Sequence, residues 1–65
     1  MNLNAAALRS LGARDAEFHL EEWAERKSDR IDRQFLSGEM SKAEYERQMK
    51  EVGEIVERLW REAFP

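Results

Sequence analysis

His19 is the single histidine of this 65-residue chain and cysteine is absent. Any chemistry would therefore rest on one imidazole, the carboxylates and the serines. A zinc site built on one imidazole would need carboxylates for nearly every other ligand, an uncommon donor set. Di-iron bundles place Glu-x-x-His on facing helices, but the residue three before His19 is Ala16, so that motif fails. His19 is better read as a surface titrating group that pairs with Asp15 or Glu22. Ser10, Ser28, Ser37 and Ser41 have only His19 available as a base, and Ser41 is needed as a helix cap. The many carboxylates should titrate normally on solvated helix faces. The sequence contains neither a glycine-rich phosphate loop nor a dinucleotide fingerprint. No metal and no cofactor is expected, and the chain reads as a non-enzyme.

The elements that carry these residues are helices. With 42% hydrophobic and 38% charged residues, the composition suits amphipathic helices with solvated outer faces. Ser41-Lys42-Ala43-Glu44 is a capping box, and Met40 before it can staple onto Tyr45. From there Tyr45, Met49, Val52, Val56, Leu59 and Ala63 recur at alternating spacings of four and three, a short coiled-coil seam. Ile55 and Trp60 flank the seam on opposite sides, which makes the apolar face broader than one partner helix can cover. Gly53 interrupts this helix at a cost of about 1 kcal/mol relative to alanine. It falls on the side of Met49, Trp60 and Phe64, where a missing side chain admits a close neighbour from the fold, from a second copy or from another partner.

Upstream, Asp15 is the expected N-cap of a helix from about Ala16 to Ser37, with Gly38 in the left-handed position after it. Its inner face reads Ala16, Leu20, Trp23, Ala24, Ile31 and Phe35, and Lys27 and Gln34 fall in the same arc. Both helices come to about 22 residues, or about 33 Å. Matched length and a short connection predict an antiparallel hairpin. Ahead of it, Asn4 can cap a short helix Ala5–Leu11 that stops at Gly12. The expected division is a short N-terminal helix and turn over 1–14, a helix over 15–37, a turn over 38–41 and a helix over 42–64. Phe18 and Leu36 point away from the inner face, and Leu8 or Leu11 should cover the first, the turn the second.

Charge patterning agrees with the hairpin. The acidic half Asp15–Glu25 would lie beside Arg58 and Arg61, and the basic half Arg26–Arg33 beside Glu44, Glu46 and Glu51. Glu22–Arg26, Asp29–Arg33, Glu46–Lys50, Glu54–Arg58 and Glu57–Arg61 stand at the favourable i,i+4 order. Nucleic acid is disfavoured as a partner: net charge is −3, and a recognition helix opening Asp15-Ala16-Glu17 would repel phosphates. No apolar run has transmembrane length, the N-terminus lacks the marks of a secretory signal, and a cytoplasmic location is expected.

Phe35-Leu36-Ser37-Gly38-Glu39-Met40-Ser41-Lys42-Ala43-Glu44-Tyr45 resembles the short C-terminal domain (SHOCT) family. Its hallmark is a Leu, a Gly, an aliphatic residue, Ser or Thr, and an acidic–aromatic pair opening a helix. Leu36, Gly38, Met40, Ser41, Glu44 and Tyr45 carry the match. The second helix here is longer than that family's usual one, and the N-terminal half has no counterpart. The resemblance implies an interaction or oligomerisation module and no catalytic residues.

The expected function is therefore non-catalytic protein–protein interaction, with a homodimer completing a four-helix bundle. The interface residues expected are Trp23, Ile31, Tyr45, Met49, Val52, Ile55, Val56, Leu59 and Trp60. The alternative is a small acidic inhibitor of phage or plasmid type, an anti-defence protein or antitoxin. Its cluster Glu17, Glu21, Glu22 and Glu25 would bind a basic surface of a nuclease or toxin. Weak nucleic-acid binding through Arg26, Arg30 and Arg33 ranks third.

Overall fold

The Asn4 carboxamide oxygen accepts the Ala7 N–H at 2.8 Å, which satisfies one of the amides a helix start leaves open. Helix α1 follows over Ala5–Leu11. The computed structural model describes residues 3–65; Met1 and Asn2, the first residues of the N-terminal segment, lie outside the described residues. Gly12, at φ 87°, ends α1 and opens α2, which runs Ala13–Leu36. The Gly12 carbonyl accepts from Ala16 N–H at 2.9 Å, so the helix is under way before Asp15. This corrects the expected Asp15 cap. Asp15 sits instead within the first turn, where its carboxylate suits the helix dipole.

At the other end of α2, Gly38 at φ 82° takes the left-handed position. Glu39 N–H donates to Gln34 C=O at 2.9 Å and Gly38 N–H to Phe35 C=O at 3.1 Å, the paired bonds of a Schellman motif. Helix α3 spans Lys42–Ala63. Ser41 Oγ accepts from Glu44 N–H at 3.1 Å, but the reciprocal half of the capping box does not form. The Glu44 carboxylate turns instead to Arg47 and Gln48. Those bonds, that of Arg47 first, hold the Glu44 carboxyl below its ordinary value. The pair therefore supports the fold above the ordinary carboxylate range and ceases to as pH falls through the lowered value. Ser41→Ala should lower unfolding stability by about 1 kcal/mol, read as a shifted urea midpoint by circular dichroism. An unchanged midpoint would contradict the cap.

Helices α2 and α3 pack antiparallel. Next to the turn, the Phe35 and Tyr45 rings stack at 4.6 Å and Tyr45 Oη donates to Asp32 Oδ1 at 2.7 Å. At the opposite, open end Ala16 and Leu20 meet Leu59 and Ala63, and α1 folds back to insert Leu8 among them. Leu8 is fully buried. Arg9, one residue on, donates to the carbonyls of Ala63 and Glu62, both at 3.1 Å. A guanidinium on those last carbonyls of α3 satisfies acceptors the helix cannot and complements the negative end of its dipole.

Two apolar side chains depart from expectation. Phe18 is 59% and Leu36 83% exposed. Leu8 cannot cover Phe18 because it is committed to the core, and Phe18 contacts His19 edge-on at 5.9 Å instead. Ion pairing departs too. Among the described residues every ion pair lies within α3: Glu44–Arg47, Arg47–Glu51, Lys50–Glu54, Glu57–Arg61 and Arg58–Glu62. Of the five expected pairs only Glu57–Arg61 forms, at 3.4 Å. No ion pair crosses between the helices or joins His19 to Asp15 or Glu22 among those residues. Exposed carboxylates gain little from such pairs, so hydration wins.

The fold is long and thin. Its accessible surface is 4933 Å², against about 4,300 Å² for a compact monomer of this mass. Its radius of gyration is 13.3 Å, against about 10.7 Å for a compact chain of this length. No described helix is long and apolar enough to cross a membrane.

Candidate interaction surfaces

Helix α3 turns Val52, Leu59 and Ala63 into the hairpin core. Its remaining apolar residues fall on two flanks at about 100° per residue. Met49, Val56, Trp60 and Phe64 share one flank, all half-buried. The Trp60 and Phe64 rings lie 4.7 Å apart. Val56 and Trp60 border an open cleft with Leu20, Glu17 and Glu21 of α2. Gly53 sits midway along α3 on this flank, and apart from its chain neighbours and its own helix backbone no atom lies within 4 Å of where a Cβ would stand. No contact among the described residues explains the glycine.

The other flank carries α1 at the open end. Leu3 shares a cleft with His19, Glu22, Trp23 and Arg26. Ile55 lies on this side and also packs against the open-end core.

The residues expected at an interface are thus divided. Leu59 is 8% exposed and belongs to the open-end core; Ile31 and Val52, 7% and 8% exposed, face each other between α2 and α3 and keep only a narrow edge at the floor of an open cleft. Met49, Val56 and Trp60 come together on the Gly53 flank. Trp23 and Ile55 stand on the opposite one, and Tyr45 is held in the Phe35 stack. The acidic cluster divides as well: Glu17 and Glu21 rim the Trp60 cleft, Glu22 sits beside Leu3 and Trp23, and Glu25 is exposed. No three of the described His19, Asp and Glu side chains converge as a metal site would require. No family model matches the chain, and neither a curated protein nor a solved structure is significantly similar to it. The surfaces alone carry the functional reading.

Phe64, which its spacing already places on the Gly53 side, is absent from the expected interface residues although it stands four after Trp60. The Tyr45–Asp32 bond was missed as well, because Asp32 looked like one more solvated acid. That bond, with burial second, raises the Tyr45 phenol above its ordinary value. A raised value means the folded state favours the neutral phenol, so this support is intact below the ordinary tyrosine range. It is lost as pH rises through the raised one. Tyr45 is the single tyrosine, so absorbance at the phenolate band reads it directly. Asp32→Ala should move its ionisation back toward that of a free tyrosine; identical curves would contradict the bond.

Proposed function

We propose that this chain is a non-catalytic self-association module: a homodimer in which two hairpins pack Gly53 flank to Gly53 flank as a four-helix core. The observation that carries the reading is Gly53, a costly residue in mid-helix, open to solvent and set among Met49, Val56, Trp60 and Phe64. Ala24 holds the corresponding midpoint of α2 on the same flank. Small residues at both midpoints suit a two-fold arrangement in which α3 crosses α3 of the second copy at Gly53, with backbones close.

Size agrees. One 40 × 17 Å side of the molecule offers on the order of 700 Å², near the roughly 800 Å² per partner of a standard interface. A chain this short has few other means of completing its core. The SHOCT-like turn supports the same class of role.

Val56→Glu places a carboxylate in the centre of the contact; because Val56 is half-buried and also packs against the open-end core, circular dichroism must show the variant as helical as the parent. Light scattering should read twice the 7.7 kDa chain mass for the parent and the single mass for the variant. Equal masses for the two would count against this face.

A further inference from the structure

Helix α1 fills one end of the groove between α2 and α3 and stops short of the other. Beyond Leu3, Trp23 forms the threshold of an open groove that continues toward the turn. Its floor is Ile31 and Val52, and Ile55 borders it from α3. From Trp23 to Gln34, α2 rises about 17 Å, three turns of helix. α1 docks beside this channel through Leu3 at the Trp23 cleft and Leu8 in the core.

Its charge runs against that of the chain, whose net charge is −3. Lys27, Arg30 and Arg47 line the groove, and Glu51 is the one carboxylate among its described lining residues. Glu51 is bound to Arg47 at 2.7 Å. Lys27 and Arg30 make no ion pair among the described residues. Lys27 Nζ is held 5.9 Å from the centre of the Trp23 ring, so that cation stands over the groove wall. An apolar floor beneath two free cations matches a helix with one apolar and one acidic face. Two cations and a largely apolar floor are a poor match for a phosphate backbone, which needs a longer basic track.

We propose that this groove receives an acidic amphipathic helix of a partner protein. Its apolar side chains would rest on Ile31, Val52 and Ile55 and its carboxylates meet Lys27 and Arg30. The groove lies on the flank opposite Gly53, so the inference stands apart from self-association.

The test uses a fluorescein-labelled peptide of about 13 residues, close to the length the groove seats, with leucines on one helical face and glutamates on the other. Its lysine counterpart and a single-stranded DNA oligonucleotide serve as comparisons. Anisotropy should show saturable binding of the glutamate peptide, weakened about tenfold or more by Lys27→Glu with Arg30→Glu. Glu46→Gln, at an exposed position outside the groove lining, should leave binding unchanged, and circular dichroism should show each variant as helical as the parent. Equal affinity for both peptides, no binding, or indifference to the charge reversal would overturn the proposal. Displacement of the peptide by the oligonucleotide would make the groove a polyanion site. Loss of self-association on the Lys27 and Arg30 reversal would make it a contact between copies. Either result also overturns the proposal.

Discussion

Leu8→Ala should lower the unfolding free energy by about 2–5 kcal/mol, the range for truncating a fully buried leucine. Leu8 is 0% exposed and touches the core from a helix of only seven residues. Such a helix has no stability of its own in water. The truncation therefore removes the contact that docks α1, and with α1 goes the Arg9 cap on the end of α3. Small domains hold only about 5–15 kcal/mol in total, so the variant should unfold at much lower urea or lose a cooperative transition altogether. Leu36→Ala is the control. Leu36 is 83% exposed, and its change should stay within about 0.5 kcal/mol. A Leu8 effect as small as that of Leu36 would mean α1 is not part of the core.

Gly53→Ala and Gly53→Leu should separate the stability of the chain from its assembly. In an isolated hairpin, alanine at a mid-helix site with open space around it stabilises by up to about 1 kcal/mol. Leucine there also restores helix propensity, and no atom beyond the chain neighbours and own helix backbone lies within 4 Å of the Cβ position to oppose either. Both substitutions should therefore hold or raise helicity at concentrations where the chain is monomeric. In a dimer whose backbones approach at Gly53, each added carbon forces the helices apart. Overpacking of that kind costs about 1–3 kcal/mol, which weakens self-association by about five- to more than a hundredfold, leucine more than alanine. Two variants that raise both stability and association would show that the glycine faces solvent in the assembly too.

Much of the second helix was legible because its signals are local. Ser41, the heptad seam and the glycine after α2 act within one or two turns, and each appears in the structure as the spacing requires. Asp15 misled because a better acceptor, the Gly12 carbonyl, stood just ahead of it in the chain. The Glu44 half of the capping box misled because two side chains three and four residues on competed for the same carboxylate. The position of α1 was not legible. Leu3, Leu8 and Leu11 announce a sticky side, but whether it covers Phe18 or closes the core depends on the direction Gly12 sends the chain. The division of the expected interface has the same origin. Periodicity names a broad apolar face, and only packing decides that Val52 and Leu59 go to the hairpin while Met49, Val56 and Trp60 remain on its flank. The basic groove went unseen because Lys27 read as a flaw in the inner face of α2, when it stands with Arg30 along an open channel.

Sedimentation equilibrium of the unaltered chain, from low to high micromolar concentration, tests the central claim most directly. A self-associating hairpin gives a reversible rise in mass from 7.7 kDa to twice that value. A single 7.7 kDa species throughout that range would contradict that claim.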